Sequence, residues 1–317
     1  MNILVVGGAG YVGGYVTDLL LGQEGYNVRV FDNLLYESNY SKSVDFVFGD
    51  IRDQKKLKPQ LDWADVVIWM AALVGDGACS INPKITKEIN CDSVDFLAKN
   101  FNGRIIFFST CSVYGAQDGL LNEKSATNPL SVYASTKLEA EAVLKRKNAI
   151  IFRLGTLFGV GDLYSRIRMD LVVNVLTAKA YIDKKLTVFG GEQYRPLLHV
   201  KDAARAIIAS IKIKSAGIFN LHSENIKILD LAHKVKSHFK DIKLETVDVK
   251  FQDTRNYKAD GTKLKNELNF ETKYSVDFGI EEIKKILSEK RIKNINDPRY
   301  TNQKYLEIFK DYLEFKK

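Results

Sequence analysis

The sequence predicts an α/β fold: a Rossmann-type doubly wound parallel sheet carrying a smaller mixed α/β lid. Three observations predict it. Met1-Asn2-Ile3-Leu4-Val5-Val6 is an apolar run with β-branched bias, followed by a glycine-rich turn and then by the helical spacing of Val16, Leu19 and Leu20. Short apolar runs alternate with helical patterns through the first half of the chain, as strands buried on both faces and joined by crossover helices do. After about Gly155 that alternation loosens, which marks a second, smaller unit.

The expected strands are residues 1–6, 27–32, 44–50, 65–71, 104–110 and 149–155, with helices over 55–61, 85–100 and 133–146 between them. In the second half the pattern gives helices at 170–180, 200–211, 229–239, 280–287 and 304–315. Short strands are expected there at 186–190 and 217–221, with 244–249 extended. The sheet domain is expected to cover residues 1–155, with a return segment near 195–222, and the lid to take 156–194 and 223–317. The tail beyond Lys290 is rich in lysine and asparagine, and its last helix is expected to pack peripherally.

With 317 residues, 45% hydrophobic and 27% charged, the chain can bury one large or two ordinary cores. No stretch approaches the roughly 18–20 apolar residues that span a bilayer, so no membrane partner is expected. The opening apolar run ends in glycines rather than a cleavage site, so no secretory signal is expected. Cys79, Cys91 and Cys111 are scattered and odd in number, which suits free thiols in the cytoplasm. The net charge of +8 is spread along the chain as solvated helix faces, with some attraction for a polyanionic nucleotide diphosphate. No basic stripe is interleaved with aromatics, so nucleic acid is not an expected partner.

Gly7-Gly8-Ala9-Gly10-Tyr11-Val12-Gly13 between strand and helix makes a dinucleotide pyrophosphate site. Gly7 permits the tight turn, Gly10 lets backbone approach phosphate, and Gly13 lets helix and strand pack closely. Asp32, followed by Asn33 and Leu34, ends the second strand about twenty residues on. A carboxylate there accepts from the ribose hydroxyls and repels a 2′-phosphate, favouring NAD over NADP. Asp50 and Ile51 fall where the adenine edge and face would lie, and Asp53 falls where a helix cap is needed. Ala71 and Ala72 end the fourth strand with side chains small enough for the coenzyme to pass.

Tyr133 and Lys137 stand four apart on a helix and project from one face. A neighbouring ammonium favours tyrosinate, so the phenol is expected to have a lowered pKa and to act as a general base. Thr110, at the end of the fifth strand, would orient a substrate hydroxyl for it, with Ser112 in support. Cys111 has no histidine nearby in sequence and is not expected to be a nucleophile. His199, His222, His233 and His238 show no ligand spacing with the cysteines, so no metal is expected.

Together these motifs, with Ser109-Thr110-x-Ser112-Val113-Tyr114-Gly115, resemble the extended short-chain dehydrogenase/reductases. More narrowly they resemble the NAD-dependent nucleotide-sugar epimerases and dehydratases, over about residues 1–270. The resemblance implies that Gly7, Gly10, Tyr11, Val12 and Gly13 hold NAD pyrophosphate. It places Asn90 near the nicotinamide and gives Lys137 a second role at the nicotinamide ribose. It implies a nucleotide-diphosphate sugar held by Val74, Ser112, Asn174, Arg195, Asp253 and Arg255. It also implies a homo-oligomer, dimer or tetramer, built through the helices at 85–100 and 133–146. His199 is expected to be structural and Asp202 to cap a helix.

Two departures matter. Dehydratases of this kind place an Asp-Glu pair after the threonine, whereas Cys111-Ser112 stand here, which disfavours dehydration. Thr156 replaces the asparagine of many relatives, which puts that sugar contact in doubt. The implied reaction is oxidation at sugar C4 to a 4-keto intermediate. Its expected outcome is a GDP-heptose or hexose 4-dehydrogenase or 4-epimerase of surface-polysaccharide synthesis, with a UDP-hexose 4-epimerase as the alternative. A non-catalytic NAD-binding sensor or scaffold is the competing class, and intact Thr110, Tyr133 and Lys137 argue against it.

Overall fold

The computed structural model of the protein describes residues 1–247 and 256–314. Seven strands pair in parallel in the order Gly217–Leu221, Ala149–Leu154, Arg104–Thr110, Val66–Trp69, Asn2–Val6, Asn27–Asp32, Asp45–Phe48. Period-two alternation divides the side chains between two cores. Ile3 and Val5 face a cluster with Val16, Leu20, Ala203 and Ile207, while Leu4 and Val6 face one with Leu57, Leu97, Ala140 and Leu144. The strand order reverses between Asn2–Val6 and Val66–Trp69. In open parallel sheets a crevice forms beyond the strand C-termini at that switch point.

The remaining strands are short and make small sheets of their own. Tyr194–His199 runs parallel to Thr156–Phe158 and antiparallel to Glu224–Lys227. Lys185–Phe189 pairs with Lys243–Val247, and Ala116–Leu121 with Asn256–Ala259. A separate core of Val173, Leu176, Leu186, Leu197, Leu231 and Ile280 holds the helices Val172–Asp183, Ile228–Ser237 and Val276–Ser288 to them.

Three expectations about elements need correction, and a fourth, the extended segment at 244–249, is met as far as the described residues reach. The helix expected at 85–100 is three pieces: Pro83–Lys87, a π-helical turn Glu88–Asp92, and Ser93–Asn100. The helix expected from residue 170 starts at Val172, because the Asp170 carboxylate is bound by Arg168 and by the Asn302 amide. Of the extended segment expected at 244–249, Lys243–Val247 is a strand and the last two positions lie outside the described residues. The last helix is Asn302–Ile308, followed by a 3-10 turn at Lys310–Leu313, and it is not peripheral. Leu306 and Leu313 are buried in the core that contains Leu4 and Trp69, and Arg52 donates to the Leu313 carbonyl at 2.8 Å.

Candidate active site

A cavity of about 730 Å³ opens at the switch point. Its floor is the glycine turn. Gly7 has φ +85°, and a Cβ there would stand 2.5 Å from the Ala71 nitrogen. A Cβ on Gly13 would stand 2.2 Å from the Gly7 carbonyl oxygen, whereas one on Gly10 would meet only that oxygen, at 3.5 Å. Gly10 therefore presents bare backbone to the cavity, beside Tyr11, Val12 and the start of the helix Gly13–Leu21. Backbone amides at a helix start form an anion cradle, so these residues fit a dinucleotide pyrophosphate. Gly13→Ala is expected to displace the turn at about 1–3 kcal/mol, weakening NAD binding roughly ten- to hundredfold. Calorimetric titration with NAD checks this.

Asp32 braces the turn from the neighbouring strand. Its Oδ2 accepts from the Ala9 amide at 3.0 Å and its Oδ1 from the Leu34 amide at 2.7 Å. Burial raises its pKa, and these backbone donors oppose that rise. Leu34 follows at φ 54°, a left-handed conformation that a branched side chain adopts under strain. Asn33, Leu34 and Asp50 line an adjoining cavity, and Tyr36 and Arg166 border both. Asp50 is held in a two-pronged pair by Arg52, at 2.8 and 2.9 Å. Ile51 does not line either cavity; it is packed into the sheet core. Asp53 caps the helix Gln54–Trp63 by accepting from the Lys56 amide.

Thr110, Tyr133 and Lys137 meet in the first cavity, with Ala72, Val74, Ser112 and Arg195. Ser131 starts the helix Val132–Leu144 by accepting from the Ala134 amide, which puts Tyr133 and Lys137 one turn apart at its entrance. The same face then carries Glu141. That carboxylate is buried, ion-paired to Arg153 at 2.6 Å, and accepts from the Ser109 hydroxyl at 2.5 Å, so the helix is latched to the strand that ends in Thr110. Ser112 lies 3.4 Å from the Tyr257 hydroxyl, and its amide donates to Thr110 Oγ1 at 3.1 Å.

The phenol pKa departs from the expected direction. Burial pushes Tyr133 up, Cys79 adds to the rise, and a hydrogen bond with Thr110 pulls the other way. Burial also lowers Lys137, to about 8, against the pull of Cys79 and Glu141. The charge rule counted the ammonium and omitted desolvation of both groups.

A lysine whose pKa is lower in the folded than in the unfolded protein destabilises the fold while it is charged. Stability should rise between pH 8 and the unfolded value near 10.4. Lys137→Met is therefore expected to stabilise coenzyme-stripped protein at neutral pH by about 2–3 kcal/mol, a gain that vanishes as pH rises through that window. Denaturant melts across pH check it.

Several expected ligands do other work. Asn90 sits in the π-helical turn and clamps Leu73: its Oδ1 accepts from the Leu73 amide at 2.8 Å and its Nδ2 donates to the Leu73 carbonyl at 2.9 Å. Asn174 is fully buried and likewise accepts from the Gly159 amide while donating to the Arg168 carbonyl. Neither lines the cavity, so both shape it through backbone. His199 is buried against Glu282 at 2.8 Å and caps the helix Val200–Ser210, whereas Asp202 binds the amides of Lys273 and Tyr274. Asp253 and Arg255 lie outside the described residues.

Sequence reasoning missed Tyr36, Arg166, Arg168, Asp170 and Asn302, all at the cavity. The alternation Arg166-Ile167-Arg168-Met169-Asp170 was the available signal, three charges at period two beside a glycine-rich segment.

The family model of the NAD dependent epimerase/dehydratase family matches residues 3–221. The chain belongs to that family. It is 30% identical over 229 residues to a putative UDP-glucose 4-epimerase of Methanocaldococcus jannaschii, covering 67% of this chain and 74% of that one. It is 29% identical to the UDP-glucuronate 4-epimerase of Thermodesulfobacterium geofontis, covering 87% of this chain and 93% of that one. Among solved structures it is similar to the UDP-glucuronic acid 4-epimerase of Bacillus cereus, determined with UDP-glucuronic acid and NAD. That likeness has a TM-score of 0.78 at 25% identity, over 91% of this chain and 99% of the other. The family is NAD-dependent, and as an enzyme of the NAD dependent epimerase/dehydratase family this protein uses NAD as its coenzyme.

Proposed function

We propose that the protein oxidises C4 of a nucleotide-linked hexose to a 4-keto sugar and returns hydride to the opposite face, as a UDP-hexose 4-epimerase does. The observation that carries this reading is the meeting of Thr110, Tyr133 and Lys137 in one cavity with the glycine turn. NAD, when bound, supplies a hydride acceptor. Thr110 accepts or donates at the sugar hydroxyl and orients it. Tyr133 takes the hydroxyl proton, and Lys137 stabilises the tyrosinate that results. Arg195 faces the sugar nucleotide, where a planar guanidinium matches a diphosphate.

Dehydration has less support. Cys111 is fully buried and donates its thiol hydrogen to the Arg153 carbonyl, so the position after Thr110 brings no acid into the cavity. The epimerase names of the two curated relatives favour a uridine nucleotide over the guanosine nucleotide of a heptose. The three cysteines are buried and free, and among the described residues no helix is long and apolar enough to cross a membrane. A cytoplasmic homo-oligomer, dimer or tetramer, is part of the proposal.

The test is incubation with UDP-glucose, UDP-galactose, UDP-glucuronate, GDP-mannose and a GDP-heptose, followed by sugar proton spectra. C4 epimer from a UDP-hexose is the expected result. A 4-keto product from the GDP-heptose alone would replace the epimerase reading with the dehydrogenase one.

A further inference from the structure

Among the arginines that line the cavity, Arg168 has an open arm. Arg168 is 8% exposed, and its Nε and Nη2 donate to the two oxygens of Asp170 at 2.9 and 3.0 Å. Its Nη1 has no hydrogen-bond partner among the described residues, and the side chain lines the cavity. It shares that cavity with Gly10 and Tyr11 of the glycine turn, with Tyr36 and with Tyr133.

The surroundings fix this arm from the far end of the chain. Asp170 also accepts from the Asn302 amide at 2.9 Å. Asn302 is 3% exposed, donates through Nδ2 to the Val74 carbonyl at 2.8 Å, and accepts from Arg166 Nη2. Arg166 lies 4.0 Å above the Tyr36 ring and donates to the Arg299 carbonyl at 2.7 Å. Two guanidinium groups, Arg166 and Arg168, adjoin the Asp170 carboxylate, and burial pushes the neighbouring Glu37 up to about 7. Burial, and after it the neighbouring Arg168, lower Arg166 to about 10.

We propose that Arg168 is a pyrophosphate-binding arm, aimed by Asp170 and by Asn302 of the C-terminal segment, whose open Nη1 donates to a diphosphate oxygen. A buried guanidinium fixed by a carboxylate and left with its third nitrogen free is pre-organised for a phosphoryl oxygen. Two ligands carry that group: the coenzyme and the sugar nucleotide. The proposal rests on the function proposed above, since both ligands come from it.

Arg168→Gln and Arg168→Lys distinguish the sources. The readouts are the NAD released when purified protein is denatured and the Kd for UDP and for GDP by calorimetry. Losing a charge-assisted hydrogen bond should weaken the affected ligand roughly ten- to hundredfold in Arg168→Gln. Loss of NAD with unchanged UDP and GDP binding assigns the arm to the coenzyme, and the converse assigns it to the substrate. Folded Arg168→Gln protein that matches the wild type in both overturns the proposal. If Arg168→Gln does not fold, Arg168→Lys keeps the charge beside Asp170 but not the two-pronged geometry, and unchanged binding of both ligands in it overturns the proposal equally. Wild-type protein that holds no NAD and binds neither diphosphate would instead remove the functional reading on which the arm depends.

Discussion

Tyr133→Phe is expected to lower kcat by about 10²–10⁴-fold while leaving NAD content and folding as in the wild type, the range that a positioned general base contributes. The substitution removes one oxygen from the cavity and keeps the ring in its packing against the sheet-side core. The burial that raises this phenol's pKa bears on the size of the effect. A buried phenol is a reluctant acid and a strong base once ionised, so proton removal from the sugar depends on whatever stabilises the tyrosinate. A hydrogen bond with Thr110 favours the ionised phenol, and Lys137 lines the same cavity. Lys137→Met should lower kcat comparably and Thr110→Val by less, because threonine orients and does not carry the proton. Steady-state rates with the active sugar nucleotide measure all three. Undiminished turnover in Tyr133→Phe would remove Tyr133 from the role of general base.

The largest stability effect is expected at Glu141. Glu141→Ala should destabilise the fold by about 3–5 kcal/mol, the range for breaking a buried ion pair and stranding one charge. Both partners are almost fully buried, at 2% and 3% exposure, and Arg153 Nη1 already lacks a hydrogen-bond partner among the described residues. Glu141 holds the Arg153 pKa above its ordinary value, so removing it leaves a guanidinium that cannot shed its charge. Ser109 loses its acceptor as well. The latch joins the Tyr133 helix to the Thr110 strand, so the surviving folded protein should also show a lowered kcat. Denaturant melts at neutral pH read the stability change, and a loss below about 1 kcal/mol would mean that the pair is no latch.

Much of this was legible in the sequence, for identifiable reasons. Parallel strands covered on both faces must be continuous apolar runs, so residues 104–110 and 149–154 stood out, and all of them are buried. The strand Ala116–Leu121 is mostly exposed and has no such signature; its pairing with Asn256–Ala259 arises from the fold alone. Glycines were readable because steric demand is local: the Gly13 to Gly7 contact spans six residues. Asn90 and Asn174 were recognisable as polar residues near the site, yet an amide's choice between ligand and backbone is set by neighbours distant in sequence. The Arg168–Asp170–Asn302 chain was hidden for the same reason, since Asn302 is 132 residues from Asp170. The phenol's pKa was misjudged because pattern reasoning supplies charge but not depth.

In the proposed reaction Tyr133 takes the proton of a sugar hydroxyl while the hydride of the same carbon goes to NAD. The most direct measurement is the absorbance of reduced nicotinamide on the purified protein after adding each sugar nucleotide, in the wild type and in Tyr133→Phe. A reduced-coenzyme signal with at least one nucleotide hexose in the wild type, absent from the mutant at equal NAD content, is the predicted result. Equal signals in both proteins, or none from NAD-loaded wild type with any sugar nucleotide, would contradict it.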